Sequence, residues 1–312
     1  MIATGLQRFV PMDILTRGNL GSIKPFAVRA PRRQTMAAVF VSGHSGAAYL
    51  PEFLRDVKLE IADLRRSEDA FVDELFAGAP AAGAPLLMAH VPRVFLDPNR
   101  EPYELDPTMF VEPLPGFANS ASHRVLGGLG TIARVVSNGA VIYRRRLPLA
   151  LALRRIERIH KPFHTTLAGL IARTRERFGV AMIVDCHSMP SVGGPIDQDS
   201  GKVRADIVLG DRFGRSAAPA VVATAERELK RLGYRVFRNA PYAGGYITQH
   251  YGKPREGVHA LQIELNRALY MNEDAVSHGP AFAKVRDDLS QLMATLKAIP
   301  LEDLEPLKRA AE

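Results

Sequence analysis

From residue 36 onward the chain alternates short apolar runs with longer stretches whose apolar residues recur at helical spacing, the pattern of strands interleaved with helices in an α/β fold. The run Met36 to Val41 predicts a buried strand broken by Ser42-Gly43-His44-Ser45-Gly46, which puts His44 at a strand's carboxyl end. Ser67 is positioned to cap a helix over Glu68 to Phe76, with Phe71, Val72, Leu75 and Phe76 on one apolar stripe. On that helix Asp69 and Asp73 would share a face. Arg93 to Leu96 predicts a short strand stopped by Pro98, leaving Asp97, Asn99 and Arg100 at its end. A helical pattern over about Leu147 to Phe178 is kinked or broken at Pro162, and Gly179 ends it. Val180 to Val184 is the most strand-like run, delivering Asp185, Cys186, His187 and Ser188 to its end. Further strands are predicted over Asp206 to Leu209, Tyr234 to Phe237 and Ala260 to Leu265, the last with Gln262 and Glu264 on one face. Helices are predicted over about Ser216 to Leu232 and Pro280 to Ile299.

At 312 residues and 46% hydrophobic, the chain has ample material for a core, which excludes intrinsic disorder, collagen and a small stapled scaffold. The single cysteine, Cys186, rules out an intramolecular disulfide and a multi-cysteine zinc module. No window approaches the roughly 20 apolar residues of a membrane span, and the N-terminus shows no secretory pattern, so a cytoplasmic protein is expected. Lys and Arg outnumber Asp and Glu by 41 to 33, a net charge of +8. Part of this excess lies in residues 1–34, where Arg8, Arg17, Lys24, Arg29, Arg32 and Arg33 face only Asp13, the composition of a basic N-terminal arm. Residues 35–312 then read as a single catalytic domain, with the Gly- and Pro-rich stretch 107–138 as an active-site loop. Basic clusters such as Arg144-Arg145-Arg146 lack interleaved aromatics or a reading helix, so the charge points to a small anionic substrate and away from nucleic acid.

In open α/β sheets ligands gather beyond the carboxyl ends of strands, which singles out His44, the Asp97/Asn99/Arg100 set, Asp185/His187 and Glu264. A catalytic zinc takes three protein ligands of His and carboxylate type and leaves a position for water. His44 and His187 supply two; the carboxylate comes from Asp69 or Asp73, or from Glu68. Asp185 and Asp97 suit the supporting position, accepting the second ring N–H of a ligating histidine and fixing its tautomer. Glu264, on an otherwise apolar strand, would be costly unpaired and suits a general base, the structural alternative being an ion pair with Arg267. Arg134 and Arg267 are candidate cations for an oxyanion or a second carboxylate, Gly244 and Gly245 allow backbone approach to a ligand, and His250 and Tyr270 offer hydrogen bonds. His160 and His164 stand one helical turn apart, but Lys161 replaces the glutamate of a zinc-protease motif and Pro162 disturbs the geometry.

His44-Ser45-Gly46, Asp69-Ala70-Phe71-Val72-Asp73, Asp97-Pro98-Asn99-Arg100, Asp185-Cys186-His187-Ser188, Gly244-Gly245-Tyr246 with His250, and Gln262-Ile263-Glu264-Leu265-Asn266-Arg267 leading to Tyr270 occur in an order and spacing that resembles the N-formylglutamate amidohydrolase family. The resemblance covers about Val39 to Glu273; the family is distantly similar to zinc carboxypeptidases and aspartoacylases. It implies a three-layer αβα fold with a mixed, mostly parallel sheet and one zinc ion per chain, hydrolysing the amide of an N-acylated acidic amino acid such as N-formyl-L-glutamate. On it, His44 and His187 would hold the metal, Glu264 would be the base, and Asn99 and Arg100 would grip a substrate carboxylate. The carboxypeptidase-like pattern has a glutamate three residues after the first histidine, where this chain has Ala47, so the third ligand lies elsewhere; Asp73 is preferred, then Asp69. A monomer or small homo-oligomer is expected. The alternatives are a zinc carboxypeptidase or amidase acting on peptides, and a metal-free basic interaction protein of the same fold.

Overall fold

Apolar runs too short for helices become strands, and the amphipathic stretches between them cover both faces of the resulting sheet. The computed structural model describes residues 23–195, 197 and 199–306. Seven strands, β1 (Phe26–Arg29), β2 (Ala38–Ser42), β3 (Leu86–Ala89), β4 (Ala181–Met189), β5 (Ile207–Gly210), β6 (Val236–Arg238) and β7 (Val258–Asn266), form one sheet in the order β1-β3-β2-β4-β7-β5-β6. β3, β2, β4 and β7 run parallel, as do β5 and β6, while β1 pairs antiparallel with β3 and β5 antiparallel with β7. The fold is thus α/β with a mixed, mostly parallel sheet, as the strand and helix alternation predicts.

Strand periodicity sorts the core into two layers. Val39, Val41, Ala181, Ile183 and Ala260 pack with Phe163, Leu167 and Leu170 of the long helix Lys161–Phe178, here α2. Their neighbours Phe40, Val184, Cys186, Leu261 and Ile263 pack on the opposite face with residues of Pro219–Arg231 (α3) and Phe282–Lys297 (α4). Each fully buried Leu, Ile or Phe contributes about 1.5–3 kcal/mol relative to exposure, which is what holds the layers together. Asp185, His187, Gln262 and Glu264 have the parity of the α2 layer but lie further along their strands, at the carboxyl ends. The chain visits β3 on one side of β2 before crossing to β4 on the other, so the strand order reverses between β2 and β4, the position where open sheets form a ligand crevice.

A third cluster, including Tyr49, Phe53, Phe95, Phe110, Ile132, Tyr143 and Ile156, lies under the irregular stretch 107–138. Residues Arg93 to Leu96, expected as a strand, are turns instead: Val94, Phe95 and Leu96 are buried in this cluster rather than paired in a ladder. The helix expected over Glu68 to Phe76 is only a single turn, Val72–Leu75. Phe71 has φ 67°, a left-handed conformation that interrupts any helix, and Ser67 accepts a hydrogen bond from the Ser137 N–H instead of capping one. Within the expected basic arm, Phe26–Arg29 is the edge strand β1; residues 1–22, with Arg8 and Arg17, lie outside the described residues. At Pro162 the helix does not break. Helix α1 (Leu149–Arg155) continues through a π-helical turn, Ile156–His160, into α2, and the proline falls in the first turn of α2, where its missing N–H is tolerated.

Candidate active site

Two strand ends and a turn converge on one buried group. His44 follows β2, His187 lies in β4, and Asp69 sits in the turn region after Ser67, its N–H donating to the His44 carbonyl at 3.0 Å. His187 Nδ1 is 2.8 Å from Asp69 Oδ2, and His44 Nδ1 is 3.3 Å from the same oxygen. The two rings lie edge to face with centroids 4.6 Å apart, and one ligating atom from each of the three residues falls within 4.8 Å of the others. Behind the rings, His44 Nε2 is 2.7 Å from Asp97 Oδ1 and His187 Nε2 is 2.8 Å from Asp185 Oδ1. Each imidazole is therefore held from behind by a carboxylate while its other nitrogen faces Asp69. His44 Nδ1 is buried, and its contact with Asp69 falls short of a well-aligned hydrogen bond.

The charges reinforce this arrangement. Burial opposes ionisation of Asp69, yet the hydrogen bonds and charge of His187 and His44 hold its pKa well below the usual carboxylate value. Burial likewise disfavours a charged His187, but Asp185 and Asp69 push its pKa well above that of a free imidazole. For Asp97, burial is outweighed by His44, Arg93 and Arg100, which hold its pKa well down. Arg93 Nη2 donates to Asp97 Oδ2 at 2.8 Å, and Arg267 Nη2 donates to Asp69 Oδ1 at 3.1 Å, so both carboxylates are fixed at their outer oxygens.

Glu264 is the β-ladder neighbour of His187. Burial pushes its pKa up to about 7, with His187 partly countering the rise. Gln262 donates from Nε2 to Glu264 Oε1 at 2.8 Å and accepts from the Gly245 N–H at 2.7 Å, tying the carboxyl group to the glycine turn. That turn requires glycine. Gly244 has φ +126°, and a Cβ on Gly245 would lie 2.5 Å from Asn99 Nδ2.

A cavity of about 810 Å³ opens onto this group, and His44, Asp69, Asp97, Asn99, Arg100, His187, Gly244, Gly245, Glu264 and Arg267 all line it. Asp185 lies just behind, fully buried. The other expected residues are placed elsewhere. Asp73, preferred as the carboxylate ligand, is outside the His44/Asp69/His187 group because the left-handed Phe71 turns it away; its N–H donates to Ser45 Oγ at 3.1 Å. Glu68 accepts from Tyr49 Oη at 2.7 Å. Arg134 does not line the cavity and is paired with Asp106 at 2.8 Å. His250 is exposed and stacks on Tyr246, and Tyr270 is a core residue whose hydroxyl donates to the Ala70 carbonyl at 3.0 Å.

Asn99 and Arg267 line the cavity with their donors already engaged. Asn99 Nδ2 donates to Asp185 Oδ2 at 3.1 Å and Oδ1 accepts from the Ile247 N–H at 2.8 Å, while Arg267 binds Ser188 Oγ, the Arg66 carbonyl and Asp69, and not Glu264. Arg100 donates to the Leu129 and Asn99 carbonyls, and burial lowers its pKa to about 10. Arg93 escaped sequence reasoning because the turn that brings it onto Asp97 was read as a strand. His160 and His164 are clamps: His160 Nε2 meets the Arg100 carbonyl and His164 Nε2 the Pro98 carbonyl, each at 2.8 Å. Cys186 points into the opposite core layer, and burial raises its pKa far above that of a free thiol.

A catalytic-type His/His/Asp group at the switch point of a mixed α/β sheet, beside a carboxyl group poised near neutrality, is the architecture of a hydrolase. Residues 36–271 match the N-formylglutamate amidohydrolase family, and the chain belongs to that family. It is 31% identical to an N-formylglutamate deformylase of Pseudomonas aeruginosa over 66% of this chain and 72% of that one, and 29% identical to one of Pseudomonas putida over 74% and 80%. The crystal structure of an N-formylglutamate amidohydrolase from Ralstonia eutropha superposes with a TM-score of 0.81 at 34% identity, covering 88% of this chain and 98% of that chain. A gene product of Agrobacterium tumefaciens shares the fold, with a TM-score of 0.65 at 18% identity over 89% and 96%.

Proposed function

We propose that this protein hydrolyses the amide of N-formyl-L-glutamate, or of a closely related N-acylated acidic amino acid, with one zinc ion per chain held by His44, Asp69 and His187. The observation that carries the reading is the convergence of two Nδ1 atoms on a single Asp69 oxygen inside a cavity also lined by Glu264 and by arginines. The donor set suits zinc, and the buried His44 Nδ1, which makes no well-aligned hydrogen bond, is an atom that a cation would satisfy. When bound, such an ion acidifies water and polarises a carbonyl oxygen.

The chain's own residues supply the rest. Asp97 and Asp185 each accept a proton-bearing Nε2, which leaves Nδ1 of His44 and His187 as the donor atom. Arg267 holds the far oxygen of Asp69, so the near one stays aimed between the rings. Glu264 takes a proton from the water whose oxygen attacks the formyl carbon, and delivers it to the amide nitrogen as the C–N bond breaks, giving formate and the free amine. A carboxyl group with a pKa of about 7 suits both halves of that transfer. The basic cavity wall suits an anionic substrate, and the names of the relatives point to the same one.

Metal analysis of the purified protein paired with formate release from N-formyl and N-acetyl amino acids tests the reading. The expected result is close to one zinc per chain and preferential release from N-formyl-L-glutamate. A folded, metal-free protein that releases no formate, before and after zinc addition, would refute it.

A further inference from the structure

Six arginines line the cavity, and five of them have a carboxylate within 4.0 Å: Arg65 with Glu68, Arg66 with Asp63, Arg93 and Arg100 with Asp97, and Arg267 with Asp69. The sixth, Arg124, makes no side-chain hydrogen bond or ion pair among the described residues. It stands on the short helix His123–Leu126, where the Leu129–Gly130 turn that follows also lines the cavity.

Arg212, immediately behind the cavity wall, is likewise without a side-chain partner among the described residues. Its N–H donates to the carbonyl of Ala243, a cavity residue, at 2.8 Å. Its side chain lies over the glycine turn, with Cγ 3.0 Å from where a Gly244 Cβ would be. Arg212 and Phe213 both adopt left-handed backbone, at φ 53° and 57°. The side chain of Asn239 holds that conformation by accepting from the N–H groups of Asp211 and Phe213 and donating to Asp211 Oδ1. Strained backbone on two successive bulky residues persists only where its surroundings enforce it, and such strain concentrates at binding sites. Burial and then the like charges of Arg124 and Arg215 lower the pKa of Arg212, which places Arg124 and Arg212 in one positive field.

We infer that Arg124 and Arg212 form the receptor for the substrate's side-chain carboxylate, the anion farthest from the scissile amide, and so set the preference for an acidic amino acid. This rests on the amidohydrolase reading above. The other five arginines of the cavity each have a carboxylate within 4.0 Å, whereas Arg124 and Arg212 have none among the described residues, so the uncompensated positive charge lies at this pair. A guanidinium with unused donors binds a carboxylate in two-point fashion, and a neutral amide of the same shape gains little there.

The test compares kcat/KM for N-formyl-L-glutamate and N-formyl-L-glutamine in the wild type, Arg124→Gln and Arg212→Gln. Loss of a charge-assisted pair lowers kcat/KM on the glutamate substrate by about 10- to 100-fold, with the glutamine substrate little changed, so the ratio collapses. An unchanged ratio in both variants overturns the inference, as does a loss that instead tracks removal of the α-carboxylate in N-formyl-isoglutamine. Glutarate-induced thermal stabilisation is read in parallel. Should the wild type turn over none of these substrates, the amidohydrolase reading fails. The arginine pair is still judged by whether stabilisation seen in the wild type disappears in the variants; its persistence, or its absence from the wild type, rejects the pair.

Discussion

Two pairs of histidines, all buried except the half-buried His164, lie on either side of the Asp97–Arg100 turn, and they differ in what surrounds them. His44 and His187 each have a carboxylate behind Nε2 and share a third carboxylate in front. His160 and His164, with ring centroids 4.3 Å apart, have backbone carbonyls at Nε2, and His164 adds the Tyr251 hydroxyl at Nδ1. A carboxylate or a carbonyl at Nε2 fixes the tautomer alike, so the pairs differ chiefly at the other nitrogen: a shared carboxylate faces both Nδ1 atoms of the first pair, whereas a hydroxyl takes up that of His164. The second pair thus positions the turn that carries Asp97 and Asn99, and the first pair belongs to the proposed metal site that the turn supports. Spacing along the chain does not separate the two roles, since it is the HxxxH pair that resembles a metal motif.

The sharpest way to break this contrast is His187→Ala, which should abolish zinc retention and lower kcat/KM on the order of 10³-fold or more, as loss of several kcal/mol of transition-state stabilisation requires. Retained metal and activity would mean that the first pair has been misassigned. Glu264→Gln should keep the metal and lower kcat by about 10²- to 10⁴-fold, the range for a lost general base. Next, Asp97→Asn should weaken zinc binding by about 10- to 100-fold while leaving the ligands in place; an unaltered affinity would show that the backing carboxylate is incidental.

The smallest effect sharpens the other side. Burial, with repulsion from His160, lowers the pKa of His164 to about 3, below its unfolded value near 6.5. The unfolded chain therefore binds a proton there that the folded chain refuses, and stability falls as pH drops below about 6.5. By pH 5 this group removes about 2 kcal/mol, so His164→Gln should flatten the dependence of Tm on pH between 7 and 5 and retain its metal. An equally steep profile in the variant would assign the acid sensitivity to another group.

The main features of this arrangement were legible before any coordinates. His44, His187 and Glu264 each follow or end an apolar run, so strand prediction carried them to one edge of the sheet. β3 went unread because Leu86-Leu87-Met88-Ala89 contains no β-branched residue, and β1 because its four residues sit among cations. Asp69 and Asp73 were placed on one helical face by an assumption of continuous helix, which the left-handed Phe71 defeats; nothing in a phenylalanine announces that conformation. Arg124 and Arg212 were passed over because their significance lies in lacking partners, and partners are assigned only by tertiary contact.

The π-helical turn joins the two parts of the long helix, with the Lys161 N–H reaching back to the Ile156 carbonyl. Relative to an α-helix it holds one surplus residue, worth about 100° of rotation. Upstream of it, Arg155 is anchored to the Phe95 carbonyl and the Tyr143 hydroxyl; downstream, His164 grips Pro98. A one-codon deletion here would straighten the spiral yet swing one grip out of phase with the other. Lineages sharing this turn should therefore tolerate sequence drift in the segment far more readily than any change in its length.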